Sequence, residues 1–591
     1  MEFPWAILLL YGVLGDEPRC NFSMVFSDDM VLQRNNAVVF GSWDGISDWL
    51  QISVIDEVSN TTRAEVYGDL DGSSWRAHLP LSLGSGGSYS ITLSIPDGIV
   101  ARINRVTFGD VFVCTGQSNM ALGSHYTFNS GIKSQVRFLD LAGMDYLKIQ
   151  QQVPRYLAQV PPASGKWLSG KEAAAYAPFF SGVCLYFGHR MMDSGVPIGL
   201  VHGAIGGSMI EQWVPNSTTA KCQHTMLNVK GRVPAESLYN GIIAPLLNMS
   251  ISGIVFYQGE NNVAGDPKAY GCQLEELIKM WRRQWSYFSG TTAAQVPFGV
   301  VTLAPGGSEG HDWRMAHFRF AQTRSSHVLP NVFITHAHDL GEPWPYQAAC
   351  VKTGCCYNHS SKASHFTPDP LLCSAPRLDP VDGDWFNTTT EIYMGPIHCR
   401  NKRRLGYRLG DSMNRLVSGK SVVGPFVNQA DWSIEGTVVL SVDGLDDDHL
   451  VVGGPIGFQV CSSDQLLCSC PFWEHRKVNA SLTEWYCYVD HSLVVSGTNP
   501  DSTLWKAVPL VVHMNVTSMS ITQPGILAVR YAWSDSPCVN LNDAGIKNGT
   551  RPALIAYCGI STEISAQPLS PFFFARPSMA ANYTQSILAI I

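Results

Sequence analysis

Hydrophobic and polar positions change their period twice along the chain. Between residues 24 and 105 short alternating runs such as VLQRNNAVVFGSW and YSITLSI are separated by Gly, Asp and Ser clusters, the pattern of a β region. From about 106 the texture becomes an alternation of strands and helices. VTFGDVFVCT, IGLVHGAI, ISGIVFYQ, FGVVTLA and NVFITHAHD read as buried strands. Helices are predicted over 171–193, broken near Pro178, and over 234–247, 270–288, 312–325 and 399–417. Such alternation implies a parallel sheet with helices on both faces, whose chemistry sits beyond the carboxyl ends of the strands. After about 420 the β texture returns in VVLSVDGL, LVVHMNV and GILAVRYAW. The fold class expected is therefore α/β, flanked by N-terminal and C-terminal all-β regions. The domains expected are 16–105, 106–418 and 419–591, with a Cys-, Pro- and Asp-rich insertion at about 340–390.

Composition narrows the setting. The 591 residues are 45% apolar, which excludes disorder, and only 15% charged, against about 25% in an average globular chain. A net charge of −8, with no basic run beyond Arg400 to Arg404, disfavours nucleic acid as a partner. No uncharged apolar stretch reaches the length of a transmembrane helix. Ten Asn-x-Ser/Thr sequons are spread over the length, at Asn21, Asn60, Asn216, Asn248, Asn358, Asn387, Asn479, Asn515, Asn548 and Asn582. Residues 6–15 (AILLLYGVLG) form a short apolar core suited to a signal peptide ending before Asp16, although the preceding residues offer no Lys or Arg. With 16 cysteines, densest at 350–399 and 461–487 and so mostly away from the candidate nucleophile below, the chain is expected in the secretory pathway, either lysosomal or secreted. Disulfides and N-glycans, rather than charge, would then stabilise and solubilise it. Zinc is the rival reading of the cysteines, but no pair of C-x-x-C units stands at finger or ribbon spacing.

Four segments bear candidate chemistry, each at or after a strand end. Gly116-Gln117-Ser118-Asn119-Met120 presents a serine whose turn offers backbone N–H groups to an oxyanion. Gly203 to Ser208 places paired glycines, Gly206 and Gly207, where a backbone must approach a substrate. Tyr257-Gln258-Gly259-Glu260-Asn261-Asn262 gathers amide and carboxyl groups, and Ile397-His398 opens the last helix. Each also reads as a plain polar turn. Gly306 to Gly310 carries a competing serine, Ser308, in a G-x-S-x-G pattern. His336, His338 and Asp339, with His311 and Asp312, can be read as a metal cluster. Trp213 and Tyr257 suit either sugar stacking or the core.

Taken together, GDVFVCTGQSNM, PIGLVHGAIGGSMIEQWVP, LYNGIIAPLLNMSISGIVFYQGENN and IHCRNKRRLGYRL resemble, in order and spacing, the sialate O-acetylesterases of the SGNH hydrolase superfamily. The likeness extends to Arg319, Gln322 and VRYAWSDSPC. It implies Ser118 as nucleophile, His398 as general base, and no metal or organic cofactor. It implies an oxyanion site from the N–H of Ser118, that of Gly206 or Gly207, and a side chain of the third segment. Gln258 and Asn261 can donate there, whereas a Glu260 carboxylate would repel the charge unless protonated; Gln258 is favoured. Gln117 and Glu260 are then left to position neighbours or the sugar. The substrate implied is an O-acetylated sialic acid or sialoglycan. The usual Asp three residues before the histidine is here Gly395, and Cys399 stands where the family has Pro. A backbone carbonyl of Gly395 or Pro396, Asp339, or Asp382 or Asp384 remain as groups to orient His398. Other acetylated sugars, or glycan binding on a weakened esterase scaffold, are the alternative readings.

Overall fold

The computed structural model describes residues 20–124, 136–140, 166–222, 236–305, 312–340, 397–420 and 424–445, and further β segments between 450 and 586, with brief interruptions at 46, 81–82, 178, 264 and 400. The expected leader, the insertion, Ser308, His311, Asp382 and Asp384 lie outside the described residues, as do Gly395 and Pro396.

One strand organises the molecule. β1 (Gly98–Gly116) is 19 residues long and runs without a break across position 105. Its first half pairs antiparallel with Gly86–Ile95 and parallel with Val31–Gln33, within the N-terminal β region. Its second half, the apolar run Val111-Phe112-Val113-Cys114, is the centre of a parallel sheet. There it lies between β3 (Ile198–Ala204) and β4 (Gly253–Tyr257). Outside β3 comes β2 (Val136–Asp140), then the short antiparallel edge Trp167–Leu168; outside β4 come β5 (Phe298–Thr302) and β6 (Val332–His336). Strands β3 to β6 are buried at every position, as strands covered on both faces must be. The chain reverses its direction of growth at β1, so the crevice above this strand is the topological switch point.

Helices cover both faces, and the pleat of β4 shows it. Gly253 faces Met413 of the helix α4 (Lys402–Val417), whereas Phe256, of opposite parity, packs its ring 5.7 Å from Trp281 of α2 (Pro267–Ser289). On the first face α4 crosses α1 (Gly182–Met191) closely: a Cβ on Gly406 would come within 2.6 Å of the Tyr186 Cβ. On the second face α2 lies beside α3 (Asp312–Val328). The start of α2 follows its sequence, since Asp266 accepts from the Lys268 N–H, Pro267 opens the first turn, and Gly290 closes the helix with φ 70°.

Two findings depart from the sequence expectations. The segment predicted helical over 234–247 contains, where described, a π-helical turn Tyr239–Ile243 running into a 3-10 turn Ala244–Leu246; Pro245 removes a donor and Gly241 weakens the α form. The apolar core does not divide at 105 but is continuous from Cys20 to Met413. A disulfide, Cys114–Cys184, lies four residues before Ser118 and ties β1 to α1. A second, Cys222–Cys272, fastens the start of α2. The C-terminal β region has its own core, from Val427 to Phe574. It meets the α/β sheet through Ala316 and Phe320 of α3, which pack against Trp505 and Phe573.

Candidate active site

Strands β1, β3 and β4 end abreast, with Gly116 level with both Ala204 and Tyr257. The three chemistry-bearing segments that follow therefore emerge side by side. Gly116 is obligatory there: its φ is 141°, and a Cβ would sit 2.0 Å from the Tyr257 carbonyl oxygen. This close approach lets Gln117 N–H donate to Tyr257 O (2.9 Å) and Ile205 N–H donate to Gly116 O (3.0 Å), which fixes the turn on both sides. Ser118 then opens a single helical turn, Ser118–Ala121, half-buried among buried neighbours.

The half-buried His398 comes from 280 residues further on and places its Nε2 2.9 Å from Ser118 Oγ. That is the distance at which a neutral imidazole takes a hydroxyl proton. Beside the pair, the N–H of Ser118 and that of the exposed Gly207 (φ 69°) have no partner among the described residues. Gly206 is buried just behind Gly207.

The third segment is held by a hydrogen-bonded lattice. Gln258 Nε2 stands 3.0 Å from Gln117 Oε1, 3.0 Å from Ser208 O and 2.8 Å from Asn262 Oδ1, and Gln258 Oε1 accepts from the Tyr270 hydroxyl. Its two N–H bonds thus face three acceptors already in place, leaving none for an oxyanion. Gln117 Oε1 also accepts from the N–H of Gly259 and Asn261, each at 3.4 Å. Asn261 donates to the Gly207 carbonyl at 2.5 Å, which ties the second and third segments together. Asn262 donates to Glu211, a residue in the second motif that had no assigned role.

Beneath the Ser118–His398 pair lies a buried polar knot. Asn119 donates to Glu260 Oε1 (2.5 Å) and to the Ile397 carbonyl (2.8 Å), and accepts from Lys402 Nζ (2.6 Å). Lys402 is fully buried, 3.7 Å from Cys399 Sγ and 5.4 Å from the centre of the Tyr257 ring. Burial lowers the Lys402 pKa, opposed by Cys399 and Glu260 nearby, and burial raises the Cys399 thiol.

Asp339 is not brought to the imidazole. Its carboxylate is gripped by Arg408 of α4, at 2.8 and 2.6 Å, and bonds no other group among the described residues. Arg408 also donates to the His336 carbonyl. His336 bonds Thr302 through Nδ1 (2.9 Å), and its ring lies 5.1 Å from that of His338. Among the described residues no three metal-binding side chains stand together. Trp213 and Tyr257 are fully buried, so the described surface offers neither ring for sugar stacking. Arg319 donates to the carbonyls of Leu303 and Ala304, and Gln322 to that of Gln258, so both brace strand ends from below.

Of the residues singled out in sequence, Ser118, His398, Gly206, Gly207, Gln117, Gln258, Glu260 and Asn261 fall in one locality, and Asp339 lies in a separate ion pair. Asn119 and Lys402 carried no assigned role, though both lie inside the quoted motifs. The signal for Lys402 was a lysine at the fourth position after the histidine, on the apolar side of an otherwise basic helix.

Residues 108–344 match the family model described as carbohydrate esterase, sialic acid-specific acetylesterase. The sialate O-acetylesterase of Homo sapiens is 31% identical over 259 residues, which are 40% of this chain and 49% of that protein. That of Mus musculus is 29% identical over 283 residues, 40% of this chain and 52% of that protein. The chain thus spans about half the length of the curated relatives it matches. Among solved structures, a carbohydrate acetylesterase from Xanthomonas citri superposes with a TM-score of 0.62 at 21% identity, covering 94% of this chain and 100% of that one, which is a likeness of fold. Over residues 108–344 this chain therefore resembles, in sequence, the sialic acid-specific acetylesterases.

Proposed function

We propose that the chain is a serine esterase that removes O-acetyl groups, at the 9-position among others, from sialic acids. The observation that carries this reading is the 2.9 Å contact between Ser118 Oγ and His398 Nε2 at the sheet's switch point. His398 takes the Ser118 proton as the hydroxyl oxygen attacks the acetyl carbonyl. The tetrahedral oxyanion forms against the N–H groups of Ser118 and Gly207. Collapse breaks the ester bond, and the imidazolium returns its proton to the departing sugar oxygen. Water, deprotonated by His398, then cleaves the acetyl-Ser118 and releases acetate.

Each oxyanion donor contributes about 100- to 1000-fold in rate in such sites. Gln258, with its donors engaged, is better assigned to holding the Gly207 and Asn261 loops than to the oxyanion. Of the remaining amides, Gln117 and Asn261 stand next to the nucleophile and the glycine loop. The names of the matched family and relatives support an O-acetylated sialoglycan as the substrate, and no cofactor enters any step as written. Exposed sequon residues Asn21, Asn60 and Asn216, and the Cys114–Cys184 and Cys222–Cys272 disulfides, support a secretory-pathway location, lysosomal or extracellular.

The test is acetate release from 9-O-acetylated sialic acid, with acetylated xylan in parallel, by the purified protein and by Ser118→Ala. Turnover of the sialic acid ester that is lost in the variant is the expected result. Preference for xylan would move the substrate class, and equal rates for the two proteins would remove Ser118 from the reaction.

A further inference from the structure

We propose that Asn119 and Lys402 are positioning residues that hold His398 against Ser118 through the backbone of the histidine loop. This deepens the esterase reading and rests on it. The residue after the nucleophile and the residue before the base are joined directly, since Asn119 Nδ2 donates to the Ile397 carbonyl at 2.8 Å. Nothing in the sequence fixes these two turns to each other, because 278 residues separate them. The distance between Ser118 and His398 is therefore set largely by this one carboxamide.

The carboxamide is itself locked. An amide has two N–H donors, and those of Asn119 go to Ile397 O and Glu260 Oε1. Its oxygen accepts from Lys402 Nζ at 2.6 Å, so rotation by half a turn would set donor against donor. Lys402 is fully buried on the first turn of α4, four residues after the base. An ammonium there costs several kcal/mol in lost hydration unless compensated. It faces the Asn119 oxygen, the Cys399 sulfur and the Tyr257 ring, with the Glu260 carboxylate on the far side of Asn119. Lys402, Asn119 and Glu260 thus form a buried cation–amide–anion line, and three of the four motif segments meet at its centre. By holding the backbone of the loop that carries it, this line limits where the imidazole can stand. The backbone anchor is braced in turn, because α4 packs on α1 and Cys184 of α1 is bonded to Cys114 of β1.

The test is a double-mutant cycle on the full chain with Asn119→Ala, Lys402→Met and the pair, read as kcat and KM on a simple aryl acetate and on the sialic acid ester. The aryl acetate keeps the result independent of the natural substrate, and Ser118→Ala is the control for the esterase reading. Each single variant should lower kcat at least tenfold with KM changed less than threefold. The double variant should be no slower than the slower single, as residues acting as one unit behave. Thermal midpoints are recorded alongside, and Lys402→Met, which keeps the aliphatic stem, decides alone by the same kcat and KM split should Asn119→Ala not fold. Unchanged kcat, losses that fall on KM, multiplicative losses in the pair, or a loss of activity that appears only with unfolding would each overturn the proposal. Activity retained in Ser118→Ala would instead overturn the esterase reading beneath it.

Discussion

Asp339 and Arg408 form a bidentate ion pair, at 2.8 and 2.6 Å, with both side chains almost completely buried. Bidentate geometry is the strong form of this interaction, and it joins the end of β6 to the middle of α4. One of the carboxylates that the sequence offered to His398 is thus a strut beneath the candidate site.

Asp339→Asn separates these roles. Removing one partner of a buried pair leaves Arg408 uncompensated and should cost about 3–5 kcal/mol of stability. Urea denaturation should show that loss, while kcat measured well below the unfolding midpoint should change less than about threefold. A loss of orders of magnitude in kcat, as when the acid of a triad is replaced, would show that Asp339 acts on the imidazole after all.

Acid should destabilise the fold through the histidines beside that pair. Burial holds His336 down to about 3, with Asp339 opposing and Arg408 and Arg319 adding to the shift, and burial also holds His338 well below its usual value. Both stay neutral in the folded chain while their unfolded counterparts take up protons below about 6.5. Stability from these two groups is therefore complete above about pH 6.5 and declines as pH falls toward about 3. The slope approaches about 1.4 kcal/mol per pH unit for each histidine. Denaturant midpoints measured between pH 7 and pH 4 should fall accordingly. In Thr302→Val/His336→Phe the fall should be shallower, and an unaltered slope would contradict the assignment to His336.

The Cys114–Cys184 disulfide closes a separation of 70 residues next to the nucleophile. Loop-closure entropy puts its contribution at about 4 kcal/mol, and removal of native disulfides typically costs about 2–5 kcal/mol. Cys114→Ala/Cys184→Ala should lower the thermal midpoint markedly and leave kcat within about threefold at temperatures where it is folded. If stability is unchanged, the bond does not form in the protein as made.

Much of the site was legible in the sequence because its residues follow strands. Buried strands announce themselves by unbroken apolar runs, and polar clusters at their carboxyl ends then fall on one edge of a parallel sheet. VTFGDVFVCT followed by GQSNM is such a case, and Gly116, Ala204 and Tyr257 do end level. What sequence could not supply was the pairing of polar groups across the interior. Gln258 was a candidate oxyanion donor by chemistry, but whether its N–H bonds are free depends on Gln117 and Ser208, which only folding brings near it. Asp339 was one of the groups offered to orient His398, yet Arg408 reaches it from α4. Lys402 carried no assigned role in the basic run of α4, and its burial follows from its packing against Asn119, Cys399 and Tyr257. The boundary near 105 was a change in texture, whereas β1 shows that one strand can serve two sheets. The π and 3-10 turns at Tyr239–Leu246 escaped for a similar reason, since apolar spacing alone does not separate them from an α-helix.

The central claim is that Ser118 carries the acetyl group between sugar and water, and rapid quenching of the protein during turnover of 9-O-acetylated sialic acid tests it most directly. Peptide mass spectrometry should find one acetyl group on Ser118, absent from Ser118→Ala, which should release no acetate. Acetate release undiminished in Ser118→Ala, or an acetyl group carried by a different residue, would contradict it.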